Sequence, residues 1–409
     1  MRYALETGYS QVMLDGSATG VLPSQLLQWA ISRGYINAGQ YRIPEENIQP
    51  ASLDLRLDEV AYRVRCSFLP GQQTVERRLK DYVIDEIRLD RGEGVVLETN
   101  RPYLIPLRES LALPPLLRGK TNPKSSTGRL DVFTRVITDE CQRFDEIKEG
   151  YEGRLYLEVV PLSFPVRIRE GLSLNQLRLF VGDPQLSDQE IRARHQESPL
   201  LYEDGHPVAP ERLALAHGMF LSLDLRGDTT GQVGHRAREN APVIDMSAGQ
   251  PVSPTPYWEP VNREDGERII LTPERFYLLM SREAVLIPPD LASEMTAYDP
   301  TSGELRTHYA GFFDPGFGYD PAGQFLGTRA ALEVRAHDVP FMVEHGQRVC
   351  KLTFERMLAE PETLYGAMIG SSYQLQEESL GKHFLRPGPG PDTSAVHGKR
   401  GERQLTLPV

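Results

Sequence analysis

The sequence predicts a mainly β protein, folded as two tandem β-barrel or sandwich lobes with a few short helices, and three observations carry that expectation. Short apolar runs such as SLDLRL (52–57), AYRVR (61–65), GVVLET (94–99), LYLEVV (155–160) and LNQLRLF (174–180) are separated by Gly, Pro, Asp and Asn. That is the pattern of many short strands joined by tight turns. The chain also repeats itself at a spacing of about 170 residues. Finally, helical signals are few.

The repeat runs in order along the chain. SLDLR occurs at Ser52 to Arg56 and again at Ser222 to Arg226. Arg101, Tyr103, Leu104, Arg108, Glu109, Pro114 and Pro115 recur as Arg275, Tyr277, Leu278, Arg282, Glu283, Pro288 and Pro289. Leu157, Glu158 and Val159 match Leu332, Glu333 and Val334, and Gly171 and Leu177 match Gly346 and Leu352. Small drifts in spacing are what loop insertions produce. The division expected is a first, catalytic lobe at 1–185, a polar linker at 186–215, a diverged second lobe at 216–385 and a flexible tail at 386–409, rich in Pro, Gly and charge.

Taken in chain order, Pro23 to Arg33 reads as a helix, with Leu26, Leu27, Trp29, Ala30 and Ile31 as its apolar positions. The strands of the first lobe follow. Between them stands KSSTGR, Lys124 to Arg129. A second helix is expected from Asp188 to His195, capped by Ser187.

A chain of 409 residues with 40% apolar and 25% charged content can bury sizeable cores. Its formal charge of −12 argues against a basic surface that coats a nucleic acid polymer. No long uninterrupted apolar run marks a membrane segment and the N-terminus carries no export pattern, so the protein is expected to be soluble and cytoplasmic. Cys66, Cys141 and Cys350 are odd in number and widely separated, which disfavours a disulfide framework or a zinc site of paired thiols.

KSSTGR combines two adjacent serine hydroxyls, two cations and a glycine that lets backbone amides approach a ligand, a composition suited to phosphate oxygens. An ordinary polar turn is the alternative. The comparison between lobes speaks against it, because the second copy reads Tyr298, Asp299, Pro300, Thr301, Ser302, Gly303, without the Lys, the first two Ser and the Arg. Glu158 lies in the strand LYLEVV between apolar neighbours. If its face of the strand is a pocket, burial raises its pKa toward a range useful for proton transfer; a solvent-facing strand residue, or a partner of Arg129 with only a structural role, is the other reading. The counterpart Glu333 fits either.

QPASLDLRL (49–57), KSSTGRL (124–130), FDEI followed by GYEGRLYLEV (144–159) and GLSLNQLRLF (171–180) resemble deoxycytidine triphosphate (dCTP) deaminases, in particular their long two-lobe form. The resemblance covers nearly the whole chain. It implies a fold like that of deoxyuridine triphosphatases (dUTPases) and hydrolysis of dCTP to dUTP and ammonia, without zinc, by a Glu that activates water. Motif by motif, that Glu is Glu158, with Ser125 and Arg129 beside it in the catalytic group.

Substrate binding falls on Lys124, where the family more often has Arg, on Ser126, Thr127, Gly128, Thr138, Tyr156, Leu157 and Gln176, and on Asp145 near the sugar. The tail that closes over the triphosphate in the family matches Tyr365, Tyr373 and Gln376, with Ser372 where a Lys is usual. The resemblance further implies Mg2+ accompanying the triphosphate, a homo-oligomer with a trimer favoured, and dTTP as an inhibitor. The zinc deaminase signature, H-x-E followed by P-C-x-x-C, is absent from the sequence. Two alternatives stay open: a bifunctional enzyme that carries dUTP on to the monophosphate, and a non-catalytic nucleotide-binding protein.

Overall fold

The computed structural model describes residues 18–90, 92–297, 305–307, 311–319, 327–366, 369–370, 373–374, 376 and 378–385. The segment read as a flexible tail, Ser372 and the 298–303 stretch compared with KSSTGR lie outside these residues.

The chain enters through Pro23, which stands at the N-cap of a helix, α1 (Ser24–Ser32). A proline there forfeits an N–H that no helical carbonyl would have accepted. Leu26, Leu27 and Ala30 turn one face inward, and Gly34, at φ +76°, ends the helix in the left-handed conformation.

Beside a small sheet in which Val95–Leu97 pairs with Val166–Ile168, two main sheets frame the first lobe. One sets β1 (Leu53–Arg56) and β3 (Leu117–Pro123) against β6 (Ser173–Val181). The other sets β5 (Glu152–Pro161) between β2 (Tyr103–Ala112) and β4 (Val132–Thr138). The second lobe has the same arrangement. There β7 (Met219–Ser222) and β9 (Leu291–Ala297) flank β11 (Arg348–Arg356), and β8 (Phe276–Val285) pairs with β10 (Thr328–Ala336).

Register follows the alternation of the sequence. Leu155, Leu157 and Val159 of β5 are buried in the first core, and Leu332 and Val334 of β10 in the second. A strand's side chains alternate between faces, so Tyr156 and Glu158, and likewise Glu333 and Arg335, point away from those cores. Glu158 stands opposite Leu104, and Glu333 opposite Leu278, on equivalent rungs.

The segment expected as a linker is a folded part of the second lobe. Its helix α3 (Asp188–Glu197) starts with a full capping box between Ser187 and Glu190. Ile191, Leu200, Leu201, Val208 and Leu213 are buried in the second core. The His195 ring ties the segment together, with Nδ1 accepting from the Leu200 amide at 3.1 Å and Nε2 lying 2.6 Å from the Val208 carbonyl. The polar letters that suggested a linker lie on its outer face.

The lobes do not meet as separate beads. Ile244–Asp245 runs parallel to Val166–Arg167, and Tyr257, Trp258 and Phe384 pack round Phe164 inside the first lobe's core. Val21, Ala51, Ala292 and Met357 form a small apolar seam. Beside it Arg178, fully buried, donates to Glu355 Oε2 at 3.0 Å, Asp314 Oδ1 at 2.9 Å and the Ser293 carbonyl at 3.0 Å. Lys120 pairs with Glu294 and Glu355 across the same boundary.

Candidate active site

KSSTGR forms one helical turn, α2 (Ser125–Gly128), entered from the extended Lys124. The Lys124 carbonyl accepts from the Thr127 and Gly128 amides at 2.8 and 3.0 Å, and the Ser125 carbonyl from the Arg129 amide at 3.1 Å. This turn carries Lys124, Ser125, Ser126 and Arg129 to the rim and floor of a cavity of about 370 Å³. Asp54 and Gln176 complete the first lobe's side; Lys124 forms an ion pair with Asp54, to which Gln176 also donates at 3.1 Å.

The opposite wall is the second lobe. Phe312, Phe313, Asp314 and Phe317 supply an aromatic and acidic side, β10 contributes Glu333, and the C-terminal segment brings Tyr365, Tyr373, Gln376 and Lys382. Arg129 is the junction. Its guanidinium lies 3.8 Å from the centre of the Tyr373 ring and donates to Gln376 Oε1 at 2.6 Å and to the Ser379 carbonyl at 3.2 Å.

Glu333, like Asp54 and Asp314, is a buried carboxyl of this cavity. Its oxygens lie so close to Gly128 that a Cβ there would approach them to 2.6 and 2.7 Å. Oε2 is buried and has no hydrogen-bond partner among the described residues. Burial pushes the carboxyl well above its ordinary range and Asp131 pushes it further, against the pull of Arg129. Lys382 is depressed, first by burial and then by the facing Lys124 ammonium, with Asp54 opposing.

Glu158 is placed elsewhere. Nearly fully buried, it is held by Arg135, its cross-strand neighbour on β4, whose Nε and Nη2 donate to Oε2 at 3.0 and 2.6 Å. The Arg135 guanidinium lies 3.6 Å from the Phe144 ring centre and also donates to Ser67 at 2.8 Å. The expected grouping of Glu158 with Ser125 and Arg129 is therefore not formed within the chain. The reason is packing: the KSSTGR turn lies against the second lobe's copy of the glutamate strand instead of its own.

The other expected residues divide in the same way. Gln176, Tyr365, Tyr373 and Gln376 join Lys124, Ser125, Ser126, Gly128 and Arg129 at the cavity. Thr127 is buried beneath the turn. Thr138, Asp145, Tyr156 and Leu157 are not among the lining residues. Leu157 is core, Thr138 is buried opposite Leu155, and Tyr156 donates to Glu76 at 3.1 Å.

Asp145 accepts from the Val136 amide at 2.8 Å and the Thr121 hydroxyl at 2.7 Å, and burial raises it to about 6. Asp54, Asp314, the three phenylalanines, Glu333 and Lys382 were not assigned from the sequence. The available signal was the mismatch between lobes, since the glutamate occurs in both but the phosphate-suited turn in only one. Among the described residues no cluster of three or more His, Cys, Asp or Glu is placed to hold a metal ion, and no helix is long and apolar enough to cross a membrane.

Comparison with known proteins bears on the whole chain. The N-terminal domain of 2'-deoxycytidine 5'-triphosphate deaminases matches residues 18–183, and the C-terminal domain of the same family matches residues 187–384. A dCTP deaminase of Natronomonas pharaonis is 33% identical over 136 residues, which span 33% of this chain and 66% of that protein. A Corynebacterium glutamicum protein named dCTP deaminase, dUMP-forming, is 31% identical over 154 residues, 36% of this chain and 76% of its own length. The crystal structure of 2'-deoxycytidine 5'-triphosphate deaminase from Agrobacterium tumefaciens superposes with a TM-score of 0.79 at 43% identity, covering 86% of this chain and 99% of that one.

Proposed function

The chain belongs to the 2'-deoxycytidine 5'-triphosphate deaminase family, and from that premise we propose that it hydrolyses dCTP to dUTP and ammonia at the interlobe cavity, with Glu333 as the proton-carrying group. The observation that supports this reading is the contact of the buried Glu333 carboxyl with Gly128, the last residue of the KSSTGR helical turn. Lys124, Ser125, Ser126 and Lys382 are suited to the triphosphate, and the phenylalanine wall to the pyrimidine.

In the proposed reaction the Glu333 carboxylate takes a proton from water as the water oxygen bonds to C4, and delivers it to N3. It then moves the proton of the C4 hydroxyl to the amino nitrogen. The C4–N bond breaks, C4=O forms and ammonia leaves. A carboxyl raised toward working pH suits both directions of transfer, and such catalysis contributes about 10² to 10⁴ in rate. Arg129, opposite it in charge, favours the ionised form in which the cycle begins.

Magnesium belongs to this reading as the companion of the triphosphate, for a cation that keeps its waters and binds phosphates asks little of the protein. The zinc-free course rests on the missing sequence signature. Cytoplasmic location, dTTP inhibition and a homotrimer are retained as expectations.

Two variants separate the glutamates. Glu333→Gln is expected to bind dCTP and lose at least about 10²-fold in kcat, whereas Glu158→Gln is expected to stay within a few-fold of the parent. The reverse result would return the role to Glu158. The Corynebacterium relative's name favours a second reading, conversion onward to dUMP. Following ammonia and pyrophosphate separately decides it: ammonia alone defines a deaminase, and both products define a bifunctional enzyme.

A further inference from the structure

Glu333 does not stand alone on its strand. Two residues on, and therefore on the same face of β10, Arg335 reaches into the first lobe and forms an ion pair with Asp131, just beyond the KSSTGR turn. Both side chains are buried. Arg335 is also anchored at its base, donating through Nη1 to the Glu274 carbonyl. Asp131 is fixed by its surroundings: its amide donates to the Gly128 carbonyl at 2.8 Å, its carbonyl accepts from Leu162 at 2.9 Å, and Ser163 donates to its carboxylate at 2.5 Å. Its backbone adopts φ +56°, the left-handed region that Asp enters more readily than most residues other than Gly.

We propose that Asp131 and Arg335 are a positioning pair for the deamination, locking β10 against the 124–131 turn so that the Glu333 carboxyl meets Gly128, and setting the charge around that carboxyl. The proposal rests on Glu333 being the proton carrier. Neither residue lines the cavity, so neither touches the substrate. The two contacts lie side by side, Glu333 on Gly128 and Arg335 on Asp131. A slip of the strand by one residue would turn both side chains to the opposite face, and the ion pair prevents it.

Arg129 and Asp131 face Glu333 from the turn, and Arg335 stands beyond Asp131 on Glu333's own strand. Lys124, Lys382, Asp54, Glu46 and Asp314 line the rest of the cavity. Removing the negative member of the pair leaves Arg335 uncompensated and lowers the pH at which Glu333 ionises. Removing the positive member raises it.

The test is the pH dependence of kcat/KM for dCTP in the full-length protein carrying Asp131→Asn or Arg335→Met. Activity that needs ionised Glu333 falls on the acid side. The acid limb should move down in Asp131→Asn and up in Arg335→Met, by about one pH unit each. Arg335→Lys should restore the parent limb. The double variant Asp131→Asn with Arg335→Gln, which leaves no buried lone charge, should lie near the parent limb with a lowered kcat, and it stands in if a single variant does not fold.

Equal losses of activity with no opposed shifts would overturn the pair's role while leaving Glu333 in place. A fully active Glu333→Gln would instead overturn the reading beneath it.

Discussion

The proton-carrying role proposed for Glu333 and the stability of the fold make opposite demands on its carboxyl. The folded protein holds this carboxyl well above its ordinary ionisation range because of burial. A raised folded-state pKa means that its contribution to stability is fully present below the unfolded value and is lost as pH rises through the folded value. Glu333→Gln, which keeps the shape and cannot ionise, should therefore melt with the parent in acid and above it at alkaline pH, by about 1 °C for each kcal/mol of relieved burial in a chain of 409 residues. Calorimetry of both proteins across that range checks the sign. Identical melting at every pH would mean that the carboxyl is not held in a desolvated place. Glu158 is partnered differently, accepting from two guanidinium nitrogens of Arg135 on the adjacent strand.

At the level of elements, the alternation in LYLEVV placed the β5 glutamate off the core face, and Pro23 and Ser187 marked two helix starts where the structure has them. KSSTGR was legible as an anion-suited turn from its composition. Its facing strand was not, because LEV occurs in both lobes and local pattern carries no information about which copy packs against the turn. The folded nature of 186–215 was hidden for a related reason: its few apolar residues are spaced by charged ones, and only the second lobe's core explains their burial.

The close fit of turn to strand makes a sharp prediction. Gly128→Ala would put a methyl group 2.6 Å from a Glu333 oxygen, so the carboxyl must shift. A misplacement near 1 Å can lower turnover by about 10²-fold, and kcat for dCTP should fall on that scale with little change in circular dichroism. Parent-like turnover would show that the contact is not tied to catalysis.

For the whole molecule, the cavity exists because the two lobes are pressed together. Ile244, Met246, Tyr257, Trp258 and Phe384 sink into the first core, and Arg178 ties β6 to Asp314 and Glu355 without exposure. Breaking such a buried pair by removing one partner typically costs about 3–5 kcal/mol, so losing Asp314 or Glu355 should weaken the packing of the two lobes. Asp314 is at once a partner of Arg178 and a cavity wall, which couples the cohesion of the lobes to the shape of the site.

That one chain supplies both walls also governs inheritance. Where neighbouring subunits build a site between them, two defective alleles can repair each other, because a mixed assembly contains an interface with both good halves. Here the Arg129 and Glu333 sides are covalently joined in cis. Co-expressing an Arg129→Ala chain with a Glu333→Gln chain should give no activity beyond the sum of the two alone. Recovery toward a quarter or more of the parent level would show that the halves are exchanged between chains.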